Sequence, residues 1–360
     1  MKKIIFVFLS SIAAIAQVPS GYYSSATGNG LTLKSQLSTI IENSHTDQGY
    51  DAFDAFTAAN DLDVYSTYEN DNSILDIYSE RPNTSDPYNY TPVTDECGNY
   101  NGEGICYNKE HVIPQSVYNQ QLPMRSDAHT LLPTDGRVNG FRSNYPFGEV
   151  GSSLISQSGI SNPTLNGSKL GNATMQGYNG TVFEPIDEFK GDIARIYFYF
   201  VTRYESQVSN WSSYDMFNGT SGVALADPFL EMLYDWHTND PVSQKEIDRN
   251  NAIYNFQGNR NPYVDVPNYV ALVWFPNMSA ESVALSAINL YPNPAKSTLK
   301  FSGSQTITEV IIINTQGQKV FMQNINDVSS TLNVSSLNQG MYFIQFRSEN
   351  AFYTKSFIKM

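Results

Sequence analysis

The sequence predicts an α+β protein in two parts: a mixed domain of helices and strands, then a small antiparallel β-sandwich. Three observations predict it. Apolar residues fall at helical spacing from Leu33 to Ile41 and again from Phe189 to Tyr204; a strand, loop, strand, helix pattern occupies residues 109 to 144; and from Leu290 onward short alternating runs (TLKF, EVIIIN, KVFMQN, MYFIQF) are separated by turn residues around Gly317 and Gly340. The 360 residues suffice for two domains. With 41% hydrophobic and 16% charged residues, the chain can fill a packed core, which excludes a disordered or polyelectrolyte class.

The elements follow in order. Lys2 and Lys3, the apolar run Ile4 to Leu9 and the small residues Ala14 and Ala16 describe a secretory signal peptide over residues 1–16, so an exported chain beginning at Gln17 is expected. The run is too short to span a bilayer, and no other stretch approaches the ~20 apolar residues a transmembrane helix needs, so membrane insertion is not expected. Leu33, Leu37, Ile40 and Ile41 behind Thr32 predict a helix over 33–43. Cys97 and Cys106, an even pair in an exported chain, predict a disulfide across CGNYNGEGIC, contributing ~2 to 3 kcal/mol by chain entropy.

Strands are expected at Lys109 to Ile113, stopped by Pro114, and at Ala128 to Leu132, stopped by Pro133, with a helix from Asp135, its cap, to Asn144. Residues 151–182, rich in Gly, Asn and Ser, read as irregular. The aromatic stripe Phe189, Ile193, Ile196, Tyr197, Phe200 and Tyr204 predicts a core helix capped by Asp187. Domains are expected at 17–279 and 289–360, joined by a linker over 280–288.

The net charge of -14 is unevenly spread. Residues 17–286 carry 13 basic and 32 acidic side chains, yet 107–149 carry 4 of each, and 287–360 carry 6 basic against 3 acidic. An acidic domain does not coat nucleic acid by bulk electrostatics; binding of a polyanion should be weak and fall steeply with salt.

Two of the four histidines, His111 and His129, lie in that neutral island. Its residue types supply what metal-assisted phosphodiester hydrolysis requires. A hard cation such as Mg²⁺ prefers oxygen and keeps several waters, so one carboxylate (Glu110) and one amide oxygen (Asn139) are an adequate protein share. Neutral His111 can take a proton from the attacking water, and Arg142, on the helix face of Asn139, can hold the phosphate. The same residues also fit a non-catalytic secreted binding protein that keeps the fold. A metalloprotease would want H-E-x-x-H on one helix, which the sequence lacks.

NKEHVIPQS (108–116) followed by SDAHTLLPTDGRVNGFRSNYPFGEV (126–150) closely resembles the bacterial endonuclease I family, secreted or periplasmic nucleases with a ββα-metal motif; the likeness continues through FEPIDEFKGDIARIYFYFVTRY (183–204) and DPVSQKEIDRNNAIYNFQGNRNPYVD (240–265). The resemblance implies metal ligation by Glu110 and Asn139, general-base action by His111, and one divalent cation, Mg²⁺ first, with Mn²⁺ or Ca²⁺ as alternatives. It implies cleavage of DNA, and often of RNA, with little sequence preference and to 5′-phosphate products; a monomer is expected. The chain departs from some relatives in lacking a longer insertion whose Arg contacts the phosphate, so Arg125 or Arg142 must substitute. His129 is left to holding the site residues in place from behind or to packing, and only one disulfide can form. Because neighbours on a regular strand face opposite ways, the pair at 110–111 requires a bend, bulge or strand end.

The tail, NLYPNPAKSTLKFSG to GMYFIQFRSENAFYTKSFIKM, resembles the C-terminal sorting domain of type IX secretion cargo. That implies recognition by the type IX machinery and an extracellular or cell-surface location. A carbohydrate-binding module would instead show exposed aromatic rows; Tyr342, Ile344 and Phe346 alternate as the core face of a strand does.

Overall fold

The computed structural model describes residues 18–98, 101–276, 288–314, 319–348 and 352–360, so the expected signal peptide and residues 280–287 of the expected linker lie outside the described residues. The chain divides into two compact units, Met1–Val270 and Ala271–Met360. No described helix is long and apolar enough to cross a membrane.

In the first unit, helix α1 (Gly30–Asn43) buries Leu33, Leu37 and Ile41. It starts three residues before the expected position because Asn29, not Thr32, accepts a helix-end amide with its side chain. Helix α2 (Ala52–Asn60) packs Phe53 and Phe56 against Ala128, Leu131 and Ile253.

Strands β1 (Tyr107–His111) and β2 (Leu131–Asp135) then pair antiparallel, Tyr107 opposite Asp135 and His111 opposite Leu131. Helix α3 (Gly136–Arg142) follows at once, capped as expected by Asp135, which accepts the Val138 amide at 2.7 Å. The second strand runs three residues later than its expected span. Ala128–Thr130 is a 3-10 turn, and Pro133 sits inside the strand. β2 pairs on one side only, so a residue without an N–H is tolerated there.

Residues 151–182 are not all irregular: β3 (Val150–Leu154), β4 (Lys169–Ala173) and β5 (Thr181–Glu184) make a small antiparallel sheet. Asn162 replaces missing ladder bonds there, donating to the Ile155 and Leu170 carbonyls. Gly171 is required, since a Cβ would lie 2.6 Å from the Ser153 carbonyl oxygen.

Helix α4 (Lys190–Arg203) is buried all round rather than along one stripe. The expected cap Asp187 belongs to a preceding 3-10 turn and pairs with Lys190 at 2.9 Å instead. Around α4 lie helices α5 (Asp227–Asn239) and α6 (Gln244–Gln257), the latter closed by a Ser243–Glu246 capping box. α4 is tied to the segment before β2 through Asp127, which accepts the Tyr199 and Tyr204 hydroxyls at 2.9 and 2.8 Å. Hydrogen bonds to a charged acceptor of this kind contribute about 1.5–3 kcal/mol each.

The second unit is one antiparallel sheet of β6 (Asn289–Tyr291), β7 (Thr298–Asn314), β8 (Lys319–Asn333), β9 (Gly340–Arg347) and β10 (Phe352–Lys359). β7 pairs with β8 on one side and with β6 then β9 on the other, and Ala295 bridges back to Lys359, so the sheet curls over one core. Leu299, Phe301, Val310, Ile312, Tyr342, Ile344 and Phe346 fill that core by strict alternation.

Candidate active site

β1 and α3 wall an open cavity of about 680 Å³, lined among others by Tyr50, Asp54, Glu96, Asn108, Glu110, His111, Gln115, Asn139 and Arg142. The structure thus brings together four of the residues singled out in the sequence. Arg125 stands beside the cavity on Tyr50, and His129 lies elsewhere.

At 110–111 the expected bulge is absent, and the regular pairing that would set the two side chains apart is present right up to a strand end. Pairing is regular through both residues with no bulge, β1 stops at His111, and the chain bends at Val112 and Ile113. Alternation sends the two side chains to different partners, yet both reach the same cavity. Glu110 Oε1 accepts from the Tyr78 hydroxyl at 3.1 Å and pairs with Arg142 Nη1 at 3.0 Å, which leaves Oε2 without a protein partner among the described residues. Burial pushes this carboxyl up to about 7, against the opposing pull of Arg142.

His111 stacks on Tyr50, ring centroids 5.6 Å apart and 10° from parallel. Its Nε2 lies 3.0 Å from the Arg125 carbonyl oxygen. A carbonyl only accepts, so Nε2 carries the proton and Nδ1 keeps a lone pair in the neutral ring. Burial lowers this histidine to about 4, opposed by the Arg125 carbonyl and reinforced by the nearby cations. Asn139 donates Nδ2 to Asn108 Oδ1 at 2.7 Å and to the Lys109 carbonyl at 3.3 Å, which fixes the amide with Oδ1 unengaged among the described residues.

Arg142 is 1% exposed. Besides Glu110 it holds the His111 and Val112 carbonyls at 3.1 and 2.8 Å and lies over the Phe147 ring, so a phosphate would have to displace these partners to reach it. Arg125 is half-buried over the face of Tyr50, at 4.5 Å, and its guanidinium has no hydrogen bond among the described residues. His129 is buried against Tyr199 with Nε2 on the Asn259 carbonyl at 3.2 Å and does not line the cavity.

Cys97 and Cys106 are bridged, Cα atoms 5.8 Å apart. The bridge closes a strap that lies along β1, where the Cys97 amide donates to the Tyr107 carbonyl and the Tyr107 amide to Asp95. Sequence reasoning missed Tyr50, Tyr78 and Gln115. The first two come from loops far upstream with no motif to mark them; Gln115, four residues past His111, was within reach as a polar side chain in NKEHVIPQS.

The donor set fits a hard divalent cation. Among the described residues Glu110 Oε2 and Asn139 Oδ1 are oxygens with no other partner, and Gln115 Oε1 is a third, buried without a hydrogen bond. Around the cavity Lys109 pairs with Asp54 and Glu96, and Arg142 with Glu110.

Among the described residues another set of oxygens, on Asp63, Glu69 and Glu80, lies within 4.8 Å of one another; none lines the cavity. Burial and the neighbouring carboxylates push Glu80 up to about 9. The folded state therefore holds a proton that the unfolded chain releases near pH ~4.5, and stability should fall as pH rises from there toward about 9. Glu80→Gln in chelator should raise the thermal midpoint at pH 8 by a few degrees and leave it unchanged at pH 4; equal midpoints at both pH values would refute the coupling.

The family model described as Endonuclease I matches residues 29–268, and that described as Secretion system C-terminal sorting domain matches 289–360. Among curated relatives, the chain is 31% identical over 259 residues to an extracellular ribonuclease of Bacillus amyloliquefaciens, covering 70% of this chain and 78% of that one. It is 29% identical over 141 residues to Endonuclease-1 of Buchnera aphidicola, covering 39% and 45%. A periplasmic deoxyribonuclease of Aeromonas hydrophila is 26% identical over 174 residues, covering 43% and 62%.

Proposed function

Because the chain belongs to the endonuclease I family and is a secreted nuclease, we propose that it hydrolyses phosphodiester bonds of DNA and RNA with a divalent cation, Mg²⁺ first, and leaves 5′-phosphate ends. The observation that carries the reading is one cavity holding, among the described residues, an imidazole whose Nε2 is engaged and whose Nδ1 is not, a carboxylate oxygen without a partner and an unengaged amide oxygen. Glu110 and Asn139 hold the cation, which when bound offsets charge building on the phosphorane and the leaving oxygen. His111 takes the proton of the attacking water at Nδ1, its ring held by Tyr50 and by the Arg125 carbonyl. Water as nucleophile makes no use of a 2′-hydroxyl, so deoxyribose is accepted. Arg125, with a guanidinium uncommitted to protein partners, meets the phosphate, while Arg142 holds Glu110 and the end of β1.

The test is digestion of plasmid and of single-stranded RNA by the full chain in Mg²⁺ and in excess EDTA. No cleavage of either by folded protein in Mg²⁺, Mn²⁺ or Ca²⁺ would refute the proposal.

The acid limb of activity follows from the same two groups. An unperturbed imidazole would place it at about pH 6 to 7, but burial moves His111 to about 4. Protons and the cation compete for Glu110 near 7, so at low Mg²⁺ the limb should lie near neutrality. Saturating Mg²⁺ should shift it toward lower pH, because charging His111 then limits the rate. Profiles at low and saturating Mg²⁺ that superimpose would contradict this assignment.

The sorting domain gives the second unit its proposed part, recognition by type IX secretion machinery, and the signal peptide delivers the chain to it.

A further inference from the structure

The cavity that holds His111 has Asn144 as part of its wall. That residue also walls a second cavity of about 460 Å³, with Ser116, Tyr145, Tyr178, Thr181 and Asp215 among its other walls. The chain enters the shared wall through an unfavourable turn: Ser143 ends α3 at φ 54°, ψ -133°. A non-glycine residue there costs about 1–3 kcal/mol, and the turn sets Asn144 and Tyr145 between the two cavities.

Tyr145 is 40% exposed; its ring packs on no aromatic or cationic group, and its hydroxyl makes no hydrogen bond among the described residues. Tyr178 is fixed by contrast, its ring 4.7 Å from Phe229 and its hydroxyl on Asp215 Oδ2 at 2.6 Å. Gly180 makes room for it, since a Cβ there would lie 2.3 Å from the Tyr178 hydroxyl. No Lys or Arg lines this cavity, and Asp215 repels an anion, so a phosphate has no partner in it. An unpaired nucleobase does: an open aromatic face for its ring, and a carboxylate oxygen to accept from its N–H groups.

We propose that this cavity is a base subsite, which takes an unpaired nucleobase adjoining the phosphodiester in the first cavity and stacks it on Tyr145. The proposal rests on the nuclease reading and gives it a preference for single-stranded segments, because a paired base must first leave its stack to enter. It also gives an acidic protein a hold on nucleic acid that does not depend on charge.

The test is binding of a short fluorescein-labelled single-stranded oligonucleotide to the full chain in EDTA, where no cleavage occurs, read by anisotropy. Tyr145→Ala should weaken binding about tenfold and Tyr145→Phe should bind like wild type, as loss and retention of a stacking face require. The same sequence as a duplex should bind more weakly than the single strand. Equal affinity for wild type and Tyr145→Ala, or no binding by wild type, overturns the subsite. Wild-type hydrolysis of bis(p-nitrophenyl) phosphate in Mg²⁺, a phosphodiester without bases, reports the first cavity separately. Its absence together with failure to cleave plasmid and RNA would refute the nuclease reading and leave the base-binding result standing.

Discussion

His111→Ala is expected to lower kcat for phosphodiester cleavage by about 10²–10⁴-fold, the range for loss of a positioned general base. The loss should fall on kcat rather than KM, since the imidazole acts on the water and not on the substrate. Mg²⁺ affinity should persist, because Glu110 and Asn139 keep their partners on Arg142, Tyr78 and Asn108. The cavity is wide enough for a small molecule at about 680 Å³, so free imidazole should restore part of the rate in the Ala variant. A deficit below about tenfold, outside the range of general-base catalysis, would mean that another group deprotonates the water. Loss of Mg²⁺ binding together with the rate would mean that His111 is a ligand.

Much of this was legible in the sequence because it is local. The ββα segment is contiguous from Tyr107 to Arg142, and Asp135 caps α3 by the same rule that predicted it. The alternation of Tyr342, Ile344 and Phe346 marked the core face of β9. Proline was over-read: a proline would stop a central strand, but β2 has a free side and holds Pro133 within it, and edge position is a tertiary property. The three-stranded sheet at 150–184 was hidden because Gly and Asn, which signal loops, serve there for close backbone approach and side-chain hydrogen bonds. The groups that set the chemistry of the pair were not legible at all. Tyr50 and Tyr78 reach Glu110 and His111 from distant loops, and the Arg125 carbonyl that fixes the His111 tautomer is backbone, invisible in any residue pattern.

Arg142→Met is expected to have the largest effect on stability. Arg142 and Glu110 are buried together, and removing one partner of such a pair leaves an uncompensated charge at a cost of about 3–5 kcal/mol. In a domain of this size that lowers Tm by about 10 °C. The His111 and Val112 carbonyls lose the guanidinium as a donor as well, Val112 keeping the Tyr197 hydroxyl. Arg142→Lys should fall between, since it keeps the charge but cannot fork to two carbonyls. Two further measurements separate an anchoring role from contact with the phosphate. Mg²⁺ should raise Tm more in Arg142→Met than in wild type, because the cation takes over the charge the guanidinium balanced. Glu110→Gln combined with Arg142→Met should be less destabilised than the two single changes summed, because the double variant buries no charge. Additive losses with an unchanged Mg²⁺ response would mean that Arg142 does not anchor Glu110, and the phosphate role would return to it.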